Sequence, residues 1–343
     1  MRSSTGRSVR IAVDAMGGDD APGRIVEGAL AAARHSGVAV TLVGRRDAIE
    51  AELVRHADRG LLDVSVVEAP DVVGMGESPA AAIRRKPRAS IRVAAELVQR
   101  GDAAALVSAG HTGATVVAAH AVFGMLEGVD RPALAPAIPT RSGMAVLLDA
   151  GATVECRPLH LLQFGVMGAV YAEARLGVTR PRVGLLSIGE EEGKGNELTR
   201  EAYKLLKTAP IAFTGNIEAR EIFSGAADVI VCDGFTGNVA LKLSEGLVET
   251  VETLLAAELA GTFSSQAGSL LSRQAFRRFR KRLDYSEYGG APLLGVSGLV
   301  FVCHGRSSVK AIRNAVVAAA RFATDDILGR IEQRVTDHLM GNP

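Results

Sequence analysis

Several short runs in this 343-residue chain set glycine among groups that hold or activate an anion. Ser108, Ala109, Gly110, His111, Thr112 and Gly113 set two hydroxyls and an imidazole beside two glycines. Glycine lets backbone amides approach a ligand, a helix starting here adds a positive field, and imidazole titrates near neutrality. The run reads as a cradle for phosphate or an oxyanion, with Ser108, His111, Thr112 and Gly113 as anion-binding residues; a His111 that simply caps the helix is the other reading. Asp14, Ala15, Met16, Gly17, Gly18 and Asp19 offer amides at Gly17 and Gly18 beside a carboxylate, Asp14, suited to orienting donors or holding a cation. The same run also suits a tight turn and helix cap, since it has neither GxGxxG spacing nor a Walker lysine.

Further along, residues 190–197 read EEEGKGNE, the most polar stretch directly after an apolar run. Lys194 and Asn196 can neutralise and hydrogen-bond a transferred group, while the carboxylates fix the lysine, attract a cation or face solvent. The string FTGN occurs twice, at Phe213 to Asn216 and at Phe235 to Asn238, each time between a β-like and a helix-like run. Asn216 and Asn238 are thus candidates to cap a helix or donate to a ligand oxygen. Asp233 closes the run VIVCD, and His304 follows LVFVC as a donor or base beside a helix start, or as a structural hydrogen-bonding group. Neighbours in a strand point to opposite faces, so Cys303 and His304 do not form a thiol–imidazole pair.

Positioning these turns calls for a repeated strand–turn–helix unit. The pattern recurs at RIAVDAMGG, AALVSAGHTG, VIVCDGFTGN and LVFVCHGRSS, each followed by an Ala-rich helical pattern, with further candidate strands at 38–44, 64–69, 144–150 and 183–189. Continuous apolar strands are those of a buried parallel sheet, so the expected fold is α/β, three-layered and Rossmann-like, with helices on both faces. Ligands in such folds sit beyond the carboxyl ends of the strands.

Composition narrows the function further. Hydrophobic residues make up 48% and charged residues 22%, a globular balance with a core of aliphatic side chains, because aromatic residues are only 4% and Trp is absent. A formal net charge of +1 provides no global field for nucleic acid. Three widely spaced cysteines, Cys156, Cys232 and Cys303, read as thiols of a reducing compartment, and no metal site is read. With no signal-like start and no run of 18 apolar residues, the expected location is cytoplasmic, a membrane surface remaining accessible. Positive charge is local: Arg84, Arg85, Lys86 and Arg88 follow GMGESP, and Arg273, Arg277, Arg278, Arg280, Lys281 and Arg282 crowd a stretch with Leu270, Leu271, Phe276 and Phe279 as apolar anchors. Residues 261–282 therefore form a basic amphipathic surface segment for an acidic protein or anionic membrane, or a solvated helix over a junction. One large domain over 10–323, as a single body or as two lobes, and a C-terminal extension over 324–343 complete the organisation.

In order along the chain, VDAMGGDDAP, SAGHTGA, GEEEGKGNELTREAYKLL, FTGNIEAREI, VIVCDGFTGNVALKLSEG and YGGAPLLGVSGLVFVCHGRSS resemble the bacterial phosphate:acyl-carrier-protein acyltransferase family of phospholipid synthesis. The resemblance runs from about Arg10 to Ala323 and departs at His111, where the family string reads like GGNTGA. It implies a fold like phosphotransacetylases and isocitrate or isopropylmalate dehydrogenases, a homodimer, no cofactor, and transfer of a long-chain acyl group from acyl carrier protein to inorganic phosphate. It also implies peripheral membrane association and hand-over of the acyl phosphate to a downstream membrane glycerol-3-phosphate acyltransferase. Under it, Lys194 and Asn196 with the Ser108 to Thr112 turn serve the phosphate, Asn216, Asn238 or His304 serve the reacting centre, and Asp14 and Asp233 orient partners. Arg84, Arg85, Arg277 and Arg278 are then docking residues. The rival readings are an enzyme of this fold using coenzyme A, one using a nucleotide and divalent metal, and a non-catalytic protein that binds carrier or membrane.

Overall fold

The computed structural model describes residues 8–262, 268, 271–283 and 289–339. Twelve strands among them form two sheets. The larger uses β1 (Arg10–Asp14), β2 (Ala39–Gly44), β3 (Val64–Glu68), β4 (Ala105–Ser108), β5 (Ala133–Leu134), β11 (Ala291–Leu294) and β12 (Val300–Val302), in the order β3-β2-β1-β4-β12-β11-β5. The smaller uses β6 (Ala137–Thr140), β7 (Gly143–Leu148), β8 (Arg182–Ser187), β9 (Ala212–Glu218) and β10 (Val229–Val231), in the order β6-β7-β10-β8-β9. The long apolar runs pair in parallel, as their burial on both faces requires, whereas the β6–β7, β11–β12 and β5–β11 pairs are antiparallel.

The helices are α1 (Gly23–Ser36), α2 (Arg46–Leu53), α3 (Pro79–Arg85), α4 (Ser90–Gln99), α5 (Thr112–Phe123), α6 (Pro158–Leu176), α7 (Glu197–Thr208), α8 (Gly234–Ala260), α9 (Arg273–Leu283), α10 (Val309–Thr324) and α11 (Ile327–Leu339). Helices α1 and α10 pack together on one side of the larger sheet, and α4 and α5 on the other. On the smaller sheet, α6 lies against β7, β8 and β10, with α7 beside it. Residues 324–339 take part in this packing: Ile327, Ile331 and Val335 are buried, and α11 lies on α6.

Two apolar clusters each join the larger sheet to the smaller one. One joins α1, α10 and the larger sheet to α6 and α7, and is centred on Phe164, Phe301, Leu30 and Met167. The other joins α4 and α5 to β5, β7 and β10 through Leu106, Leu134, Leu147 and Ile230. Because both cross the junction, the carboxyl ends of strands from the two sheets are held facing one cleft.

The two FTGN strings take different structures. Phe213 to Asn216 lies inside β9, where Phe213 packs edge-on against Tyr203 of α7 with ring centroids 5.1 Å apart, and a register shift accommodates Gly215 at φ +99°. Phe235 to Asn238 instead opens α8 under the cap of Asp233. The expectation that both strings sit between a strand and a helix therefore holds only for the second.

Candidate active site

The glycine turns at the ends of β1 and β4 meet back to back. Ser108 Oγ donates to Asp14 Oδ2 at 2.7 Å, and the Met16 amide donates to Asp14 Oδ1 at 3.2 Å. Burial pushes the Asp14 carboxyl above its ordinary range, despite hydrogen bonds from the Ser90 and Ser108 side chains. A Cβ on Gly17 would lie 2.7 Å from both Asp14 Oδ2 and the Gly110 nitrogen, so only glycine allows this approach. Gly18, at φ +124°, carries the turn on towards Asp19, whose amide donates to the Gly305 carbonyl at 2.9 Å. Asp14 thus ties the turns after β1 and β4, while the Asp19–Gly305 bond adds the turn after β12.

Part of the donor capacity of these turns is used internally. The Gly110 amide donates to Ser108 Oγ at 3.1 Å, and the Gly113 amide donates to His111 Nδ1 at 3.1 Å. His111 is the N-cap of α5, so the neutral ring carries its proton on Nε2. His304 is held alike: its Nδ1 accepts the Arg306 amide at 3.2 Å, again placing the ring proton on Nε2.

From the smaller sheet, the turn after β7 is organised by Asp149, fully buried and absent from the sequence candidates. Its Oδ1 accepts the amides of Leu134, Gly151 and Ala152 at 2.7, 3.0 and 3.0 Å, and its Oδ2 accepts that of Thr153 at 2.6 Å. Burial outweighs these four donors and raises the carboxyl to about 6. The β10 turn leads into α8, where Asp233 Oδ1 accepts the Thr236 amide at 2.9 Å and Oδ2 accepts its hydroxyl at 2.7 Å. Asp233 therefore caps α8.

These turns enclose a cavity of about 350 Å³ between the two sheets. Its apolar wall comes from Leu134, Pro136, Ala137, Leu241, Ala291 and Val302, and its polar groups are His111, Thr112, Asn238, Lys242, Glu245, His304 and Ser307. An apolar cleft with a few convergent polar groups is the usual form of a small-molecule site. Of the sequence candidates, the structure gathers His111, Thr112, Gly113, Asn238 and His304 here. Ser108, Gly17 and Asp14 border a narrow recess that shares His111 with it.

Lys194, Asn196 and Asn216 do not border the cavity. Asn196 caps α7, its Oδ1 accepting the Thr199 amide at 2.9 Å. Asn216 is buried, donating from Nδ2 to the Glu191 carbonyl at 2.8 Å, while its Oδ1 and the Ser187 hydroxyl have no partner among the described residues. Lys194 is exposed on the loop after β8, and β8 is the neighbour of β10 in the sheet.

Arg84 and Arg85 are exposed at the end of α3, which packs on α5 where a Gly113 Cβ would meet Pro79. Arg277 and Arg278 are exposed on α9; Leu270, named with them as an apolar anchor, lies outside the described residues.

Sequence reasoning missed Lys242 and Glu245. With Asn238 they follow at intervals of four and three residues, which puts all three on one face of α8. That spacing was the available signal.

Strand ends and helix N-termini from both sheets around one largely apolar cleft are the arrangement in which open α/β folds take up small ligands. The family is equally clear: the model of the fatty acid synthesis protein family matches residues 9–330, and the chain belongs to that family. A phosphate acyltransferase of Geobacter sp. (strain M21) is 53% identical over 334 residues, covering 97% of this chain and 95% of the relative. The phosphate acyltransferase of Citrifermentans bemidjiense shows the same identity and coverage. Among solved structures, a phosphotransacetylase from Streptococcus pyogenes superposes with a TM-score of 0.63 at 18% identity, covering 94% of this chain and 95% of that one. A 4-hydroxythreonine-4-phosphate dehydrogenase from Klebsiella pneumoniae gives 0.55 at 14% identity, covering 92% and 100%. These distant likenesses establish a shared fold, that of the phosphotransacetylases and related dehydrogenases.

Proposed function

We propose that the protein transfers a long-chain acyl group from the thioester of acyl carrier protein to inorganic phosphate, releasing acyl phosphate and free carrier protein. The observation that carries this reading is the cleft itself, which combines apolar side chains with a few polar and charged groups, in a chain whose relatives named phosphate acyltransferase match over nearly its whole length.

In this reading the apolar wall receives the first methylenes of the acyl chain. The α5 N-terminus at Thr112, with Asn238 and Lys242 of α8, receives the phosphate, and the Nε2–H of His304 donates to the thioester carbonyl oxygen as charge develops there. Phosphate is the nucleophile, so the reaction needs positioning and charge stabilisation and no acyl-enzyme. Asp14 holds the Ser108 turn in place and Asp233 holds the start of α8. We assign Lys194, exposed on the loop after β8, to the incoming anion. Asn196 and Asn216 then fix the loop that presents Lys194.

The partners follow from exposed surface. Arg84, Arg85, Arg277 and Arg278 suit an acidic carrier protein, and α9 also suits an anionic membrane surface. Helix α8 exposes Phe235, Val239, Leu243, Leu247 and Leu254 along one stripe, the face we assign to a second copy in a homodimer. No helix among the described residues is long and apolar enough to cross a membrane. A cytoplasmic enzyme that meets the membrane peripherally would pass its acyl phosphate to a membrane acyltransferase acting on glycerol 3-phosphate.

The test is mass-spectrometric product analysis with palmitoyl-acyl carrier protein, with and without inorganic phosphate. Palmitoyl phosphate formed only with phosphate is the expected result. Product from palmitoyl-coenzyme A but not from the carrier protein would replace the carrier assignment, and no acyl phosphate from either would refute the reading.

A further inference from the structure

Transfer of an acyl group from a thioester to hydrogen phosphate moves a proton as well as the acyl group. The phosphate gives up its proton on becoming an ester-like oxygen, and the departing thiolate gains one. A side chain that carries this proton must border the cavity and present a lone pair. His111 and His304 border the cavity and each spends Nδ1 on a backbone amide, at 3.1 and 3.2 Å, so both rings carry their proton on Nε2 and serve as donors. Lys242 is a donor only, and burial raises the Cys303 thiol to about 12 and keeps it neutral. Glu245 is the one carboxylate among the described residues that border the cavity, and its Oε2 lies 4.0 Å from His304 Nε2.

We propose that Glu245 is the proton carrier of this site, taking the proton of hydrogen phosphate and delivering it to the leaving sulfur. The assignment rests on the acyl-transfer reading above. One phosphate oxygen forms its bond to the thioester carbonyl carbon while its proton passes to Glu245. The carbon–sulfur bond then breaks with its electron pair on sulfur, and the Glu245 carboxylic acid returns the same proton there. No net proton, oxidant or cofactor is consumed. His304, donating to the carbonyl oxygen, brings the reacting carbon within reach of the carboxylate. Lys242, one turn earlier on α8, offsets the repulsion between Glu245 and the phosphate dianion.

Two variants test this, alongside the wild-type chain, in the acyl phosphate assay. Gln in E245Q keeps the shape and cannot carry the proton: kcat should fall about a hundredfold or more, with KM for phosphate and thioester within about threefold of wild type. In E245A, added formate should restore turnover at least about tenfold, which a structural role for Glu245 would not produce. Thermal unfolding verifies that each variant is folded, and a folding failure in one leaves the other to decide. The proposal is overturned if folded E245Q keeps kcat within about threefold of wild type, or if E245Q is unfolded and formate leaves E245A unchanged. Wild type producing no acyl phosphate would instead overturn the functional reading itself.

Discussion

The Gly237→Ala substitution probes how α8 is seated at the cavity, and two physical effects give it opposite signs. Inside a helix, replacing glycine by alanine stabilises by about 1 kcal/mol through backbone entropy alone. A Cβ on Gly237, however, would collide with the Asp149 carbonyl oxygen and sit 2.9 Å from Cys232 Sγ. The oxygen is backbone, in a turn pinned by four amides on the Asp149 carboxylate, so it cannot swing aside as a side chain would. Overpacking costs about 1–3 kcal/mol, and a backbone contact belongs at the upper end, which leaves a net loss of about 2 kcal/mol. Gly246 on the same helix has nothing within 4 Å of its Cβ position, so G246A feels propensity alone and should gain about 0.5–1 kcal/mol. At about 2 °C per kcal/mol for a chain of this size, thermal unfolding should show G237A lowered by about 4 °C and G246A raised by 1–2 °C. Gly237 precedes Asn238, so the displaced helix also misplaces Asn238 and Lys242, and acyl phosphate formation by G237A should drop about tenfold or more. A G237A protein as stable and active as G246A would refute the close seating of α8 on the Asp149 turn.

Three further outcomes follow from the same geometry. Asp149 has its folded-state pKa raised from 3.8 to about 6, so its contribution is fully favourable below pH about 4 and is lost as pH rises through 6, a loss of about 3 kcal/mol at most; the stability of wild type relative to D149N should fall over that window, and a flat difference in urea unfolding would contradict it. Asn196→Ala removes the α7 cap and should cost about 1 kcal/mol; a Tm equal to wild type would show that the Thr199 amide finds another acceptor. Charge reversal in R277E/R278E should weaken co-sedimentation with vesicles containing anionic lipid at low salt and approach wild type at high salt; unchanged low-salt binding would remove α9 from the surface assignment.

The strand–turn–helix units were legible because their signal is local. An apolar run followed by Asp-Ala-Met-Gly-Gly or Ser-Ala-Gly-His-Thr-Gly states both a buried parallel strand and the sharp turn that follows it, and those turns do line or adjoin the cleft. The antiparallel pieces β5 and β6 are two and four residues long, too short for any periodicity to register, yet they carry Leu134 and Ala137 of the cavity wall. Asp149 was also invisible as a functional group: its importance comes from four amides that only the folded turn delivers to it.

What the sequence determined by itself was the kind of fold, the placing of chemistry at strand ends, and the family resemblance carried by long motifs spread over nearly the whole chain. Only the tertiary structure decided which strand ends share a cavity. Packing two sheets through common apolar clusters brings the turns after β4, β7, β10 and β12 together while leaving Lys194 and Asn196 outside the cavity lining. The two FTGN strings show why this cannot be read locally: four identical residues become strand in one place and helix in the other, because their neighbours in space differ. For Asn238, Lys242 and Glu245, helical spacing defines a common face, but a face becomes a site only when packing turns it towards the cavity.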